Sequence, residues 1–186
     1  MDRQSYLDYI KPRMNEKRYI HTLGVEQTAM EMAKRFGESV EKAQIAAILH
    51  DLAKFEPEQQ MRQIVRDYHL GDHLVAWGGE IMHGPVAAWR AKHELGITDE
   101  DILNAMRFHT TGRPAMSRLE QIVFVADMIE PNRKFDGVER LRDIATQDLH
   151  EALKACMKHS LAFLVSTEQP IHTQSIECYN FYFGED

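Results

Sequence analysis

The chain has 186 residues, 22 of them lysine or arginine and 29 aspartate or glutamate, for a formal net charge of −7. That length suggests one domain with enough core to fold without disulfides, and the acidic balance, with no basic block, argues against long nucleic acid as a partner while leaving room for a small anionic ligand. No apolar run nears the roughly 18 residues of a membrane helix and the N-terminus carries no apolar signal segment, so a cytoplasmic protein with no membrane partner is expected.

The periodicity is helical nearly throughout, with no strand-like alternation. Residues 3–14 suit a short first helix. A second runs from about 16 to 36 on the stripe Val25, Ala29, Met32, Ala33 and Phe36, which extended backwards reaches His21; Gly37 ends it. Glu38 to Ala53 reads as a third helix, apolar nearly all round from Ala43 and therefore central. Pro57 opens a helix to about Tyr68. His69 to Gly79 reads as a long loop, and His83-Gly84-Pro85 as the start of a helix to about Leu95. Asp99 to His109 is helical, with Ile102, Ala105, Met106 and His109 on one face. Thr110 to Pro114 makes a turn. Ser117-Arg118-Leu119-Glu120 resembles a capping box, and the helix behind it carries Asp127 inside the apolar run Ile122 to Ile129 before Pro131 stops it. Helices over 136–146 and 148–166, and a short one after Pro170, complete an all-α helical bundle, one domain over residues 1–186 with a core of about 15–165 and a helical tail over 166–186. Cys156 and Cys178 have neither zinc-knuckle nor redox-pair spacing and read as reduced thiols.

The chemistry gathers around Ala46-Ala47-Ile48-Leu49-His50-Asp51-Leu52-Ala53-Lys54, where an imidazole and a carboxylate stand side by side in an apolar run. A buried ionised carboxylate needs a partner, and a metal ion uses both groups together. The pair alone fits equally a helix end, with Asp51 solvated and His50 satisfied by a main-chain carbonyl. The inward-facing or capping residues able to bind a metal are His21, His50, Asp51, His83, His109 and Asp127. Four imidazoles and two carboxylates exceed one tetrahedral ion and match two ions sharing a carboxylate.

The order His…His-Asp…His…His…Asp resembles that of the HD-domain metal-dependent phosphohydrolases. The words Arg18-Tyr19-Ile20-His21-Thr22-Leu23-Gly24-Val25, His50-Asp51-Leu52-Ala53-Lys54, His83-Gly84-Pro85, His109-Thr110-Thr111-Gly112 and Ala126-Asp127-Met128-Ile129-Glu130-Pro131-Asn132-Arg133 are similar to those of the bacterial YqeK proteins. The resemblance implies a helical HD domain with a di-iron centre and symmetrical hydrolysis of dinucleoside tetraphosphates, such as diadenosine tetraphosphate, to two nucleoside diphosphates. It implies a first metal on His21, His50, Asp51 and Asp127, with Asp51 bridging to a second completed by His83 and His109. Imidazole-rich donors suit iron, manganese or zinc better than magnesium. Asp51 and Lys54 are the expected catalytic residues. Arg18, one turn before His21, Lys54, one turn after Asp51, Thr110 and Arg133 are the expected substrate contacts, with Arg113 behind them.

Other readings share this site: an HD nucleotidase acting on mononucleotides, a nucleotide-sensing metal-binding module, or a di-iron oxygenase. His69 and His73 read as loop residues beside a pocket, and His93, His150, His159 and His172 as surface. Trp77 and Trp89 read as core packing or loop anchors in preference to base-stacking platforms. The apolar tail around Phe181-Tyr182-Phe183 is read as cover for a second copy, which makes a homodimer the expected assembly.

Overall fold

A computed structural model describes residues 2–184. They form α1 (Arg3–Ile10), α2 (Glu16–Phe36), α3 (Val40–Leu49), α4 (Glu58–Asp67), α5 (Gly79–Glu94), α6 (Glu100–Arg107), α7 (Arg118–Ile129), α8 (Val138–Ala145), α9 (Leu149–Ser166) and α10 (Thr173–Phe183), with 3-10 turns over Lys11–Arg13 and Asp72–Ala76. There is no strand among the described residues. No described helix is long and apolar enough to cross a membrane.

Side-chain caps start most helices where the sequence places them. Asn15 accepts from Arg18 N at 2.9 Å, Ser39 from Lys42 N at 3.2 Å, and Asp148 from Glu151 N at 2.9 Å. Each satisfies a main-chain donor that the helix itself leaves unpaired. The capping box at α7 is complete, with Ser117 and Glu120 exchanging main-chain hydrogen bonds. The central element is α3: Ala46, Ala47, Ile48 and Leu49 are fully buried. It packs against α2, α6 and α7, so its C-terminal end points into a space that those helices enclose. This centrality follows from its all-round apolar composition.

Among the boundaries that differ from the sequence reading, two bear directly on the site. The third helix stops at Leu49, not Ala53, because the chain tightens there into i+3 turns: Leu52 N donates to Leu49 O at 3.1 Å and Lys54 N to Asp51 O at 2.9 Å. The fifth helix begins at Gly79, so His83 and Pro85 lie inside it rather than at its start. Part of the loop before it is the 3-10 turn Asp72–Ala76. The tail read as cover for a partner packs partly on its own chain. Cys178 is buried, Met116 N donates to Tyr182 OH at 2.9 Å, and Phe181 stays 54% exposed.

Candidate metal centre

The tightened turn after Leu49 presents His50 and Asp51 together at the end of α3. His50 is fully buried and its Nδ1 lies 2.6 Å from Ala47 O. A carbonyl oxygen only accepts, so Nδ1 carries the proton and the lone pair of Nε2 is left free. The same device recurs on other helices. His83 Nδ1 faces Gly79 O at 3.1 Å, His109 Nδ1 faces Met106 O at 2.7 Å, and His21 Nδ1 faces the Glu130 carboxylate at 3.0 Å. Each of the four imidazoles is thus held with its Nε2 acceptor free.

Those Nε2 atoms converge on two carboxylates. Asp51 Oδ2 lies 3.1 Å from His50 Nε2 and 3.8 Å from His21 Nε2, while Oδ1 lies 3.2 Å from His83 Nε2 and 3.7 Å from His109 Nε2. Asp51 therefore turns one oxygen to each pair of histidines. Asp127 Oδ1 closes the first side, 3.0 Å from His21 Nε2 and 3.9 Å from His50 Nε2. All six side chains named from the sequence meet here, brought by α2, α5 and α7 and by the turns that end α3 and α6.

The donor set has the chemistry of a divalent metal site. Nε2 of His21 and of His50 are buried with no hydrogen-bond partner, although unpaired buried polar atoms are costly. His83 and His109 bring two lone-pair nitrogens within 3.0 Å of each other, an arrangement that a shared cation relieves. Burial pushes the His109 imidazole down to about 4, which keeps it neutral, the form that ligates. Burial alone would raise the Asp51 carboxyl, but the surrounding imidazoles of His50, His109 and His83 outweigh it and hold it well below the usual carboxylate range.

Two glycines make the geometry possible. A Cβ on Gly24 would collide with Glu130 Oε2, so the bare backbone of α2 leaves room for the carboxylate that orients His21. Asn132 N and Nδ2 hold that same oxygen at 2.7 and 3.0 Å. A Cβ on Gly84 would stand 2.8 Å from Arg107 O and 3.1 Å from Met106 O. Close contact between α5 and the end of α6 is what places His83 beside His109. Glu130 was not singled out from the sequence. Its signal was its place on α7's end, three residues past Asp127.

The family profile of the HD domain matches residues 18–132. That span runs from Arg18 past Asp127 and takes in every one of the converging side chains. The chain belongs to the HD-domain family. It is 45% identical over 181 residues to the symmetrical bis(5'-nucleosyl)-tetraphosphatase of Bacillus subtilis, covering 97% of each chain. It is 40% identical to the enzyme of the same name from Staphylococcus aureus, covering 95% of this chain and 92% of that one. A crystal structure of a predicted HD superfamily hydrolase involved in NAD metabolism, from Clostridium acetobutylicum, superposes with a TM-score of 0.94 at 39% identity, over 100% of this chain and 99% of that one.

Around the histidines and aspartates of this HD domain stand the expected cations. Arg18 Nη1 lies 2.8 Å from Asp51 Oδ2, Arg133 Nη2 lies 2.7 Å from Asp127 Oδ1, and Lys54 Nζ pairs with Glu80 at 2.6 Å. Thr110 Oγ1 sits 3.2 Å from His109 Nε2. Arg18, Lys54, Thr110 and Arg133 all line one cavity with Asp51, His83, His109 and Asp127. Thr111 turns away and donates to Gln174 Oε1 at 2.9 Å, tying the turn to α10. Arg113 is a correction: its Nε and Nη2 donate to the buried Glu120, at 2.6 and 2.9 Å, so it is a structural partner of the α7 cap. His172 is another: it is 2% exposed, since it caps α10 from inside the fold.

Proposed function

We propose that this HD domain hydrolyses dinucleoside tetraphosphates symmetrically, diadenosine tetraphosphate giving two molecules of ADP, with two divalent cations held by its histidines and aspartates. The observation that carries the reading is Asp51, which offers one oxygen to His21 and His50 and the other to His83 and His109. His21, His50, Asp51 and Asp127 would hold one cation, and Asp51, His83 and His109 the other. When bound, a cation pair supplies Lewis-acid charge at the phosphates and lowers the pKa of the attacking water.

The protein groups have complementary tasks. The main-chain carbonyls of Ala47, Gly79 and Met106 and the carboxylate of Glu130 hold each Nδ1 proton, which keeps every Nε2 pointed inward. The guanidinium forks of Arg18 and Arg133 suit the phosphate oxygens of a bound chain. Lys54 lines the same cavity and would neutralise charge on the departing diphosphate. Burial of the cluster excludes bulk water from all but the substrate side. Three or more imidazoles favour iron over magnesium, with manganese and zinc as the alternatives.

Cleavage at the middle of a tetraphosphate leaves a nucleoside diphosphate on each side, and two cations would supply positive charge to the attacked and the departing phosphate alike. The test is product analysis. Metal-loaded protein with diadenosine tetraphosphate should release ADP alone; AMP with ATP, or no turnover with any divalent metal, overturns the reading. Metal analysis of protein purified without oxygen identifies the ion.

A further inference from the structure

A second cavity, of about 500 Å³, opens beside the metal centre. Glu80, Thr110, Phe124 and Ser160 line both spaces, so the two adjoin. Away from the shared wall its lining turns apolar and aromatic, with Trp77 and Phe163 among the residues there. A volume of this order matches known small-ligand pockets. A phosphate chain has no use for such walls, whereas a nucleobase does.

One polar group in this chamber has an unmet hydrogen bond. His172 lines it and is 2% exposed. Its Nδ1 accepts the main-chain N–H of Gln174 at 3.3 Å, so in the neutral ring the proton sits on Nε2. That Nε2–H is buried and has no partner among the described residues. The Trp77 ring lies 4.7 Å away, edge to face. An aromatic face and a lone N–H donor side by side are what a heteroaromatic ring with acceptor nitrogens calls for.

We propose that this chamber takes the base of one nucleoside of the substrate, stacked on Trp77 and hydrogen-bonded by His172 Nε2–H, with its phosphates leading past Thr110 to the metal centre. This rests on the hydrolase reading above. It makes Trp77 and His172 the specificity-determining residues of one half of the substrate.

The test has two arms. Trp77 and Trp89 are the chain's two tryptophans, so Trp89→Phe protein reports on Trp77 alone. Titrated with ADP, its emission should be quenched, while pyrophosphate, which carries phosphates but no base, should leave it unchanged. Equal quenching by both, or none by ADP at concentrations that inhibit turnover, overturns the proposal. In the second arm, His172→Asn keeps an acceptor for the α10 cap but is too short to place a donor at the Nε2 position, and Trp77→Ala removes the platform. Each should raise KM for diadenosine tetraphosphate about fivefold or more, with kcat within about twofold. Unchanged KM in Trp77→Ala protein of normal helical content also overturns it. Wild-type protein that releases no ADP would instead sink the hydrolase reading, and the ADP quench, which needs no turnover, still decides the chamber.

Discussion

His83 and His109 bring their Nε2 atoms to 3.0 Å while each spends its Nδ1 on a main-chain carbonyl. Two unprotonated nitrogens face one another at the distance of a hydrogen bond that neither can donate. Gly84 lets the helix that carries His83 close on the end of α6, which brings the pair this near.

Among the described residues, Asp51 is the one that faces both pairs of histidines. Asp51→Ala should lower kcat by at least about 100-fold and reduce bound metal, since a ligand rather than an orienting partner is lost. Far-UV circular dichroism should be unchanged. Metal analysis and ADP release check both halves of the expectation.

Glu130 acts on the site only through His21 Nδ1. Glu130→Gln preserves shape and still accepts from Asn132, but it no longer fixes the imidazole with a charge. Metal affinity or activity should fall about 10- to 100-fold, and excess metal should restore most of the rate. A rate that no metal concentration recovers would give Glu130 another role.

Gly84→Ala places a methyl group against the Arg107 carbonyl. Backbone cannot yield as a flexible side chain does, so the fold should lose about 1–3 kcal/mol and turnover should fall with it. Gly78→Ala is the control. Its Cβ would meet nothing within 4 Å and its φ is −75°, so unfolding midpoints should shift by no more than about 0.5 kcal/mol.

Arg113→Ala leaves the buried Glu120 carboxylate with only the main-chain N–H of Ser117. Arg113 is one-third exposed, so the cost is smaller than for a fully buried pair, about 1–2 kcal/mol. KM for the nucleotide should not move. A raised KM at unchanged stability would return Arg113 to the substrate side.

Burial pushes the Cys156 and Cys178 thiols up to about 12 from an ordinary 9.0. The folded state favours the protonated thiol, and the unfolded chain ionises it first. Stability is therefore fully present below about pH 9 and falls as pH rises from there towards 12. Denaturant midpoints at pH 8 and pH 10.5 check the sign. At pH 8 both thiols should resist alkylation until the chain unfolds.

The six converging side chains were legible because each is a histidine or aspartate on an apolar stripe or at its end, where a solvated role is hard to supply. Only part of the helix-end reading of His50-Asp51 holds, because Asp51 is 2% exposed rather than solvated. The helix does end there, and a main-chain carbonyl does satisfy His50, but on Nδ1, which is what frees Nε2. The boundaries at the site were not legible. The tightened turn after Leu49 and the start of α5 at Gly79 depend on neighbours distant in sequence, and two adjacent glycines read locally as a break. His172 lacked a partner word, and the rings packed on it, His73 and Trp77, lie about a hundred residues away in sequence. Glu130 beside Pro131 reads as an ordinary solvated helix end until α2, with Gly24, is laid against it.

The divided attention of Asp51 carries a consequence for how the site fills. One carboxylate cannot commit an oxygen to the His21–His50 side without fixing where its other oxygen stands on the His83–His109 side. On the proposed two-cation reading, the first ion would hold Asp51 in the orientation that the second requires, and metal uptake should be cooperative: a titration curve steeper than two independent sites would give, with little of the singly loaded form at any point along it.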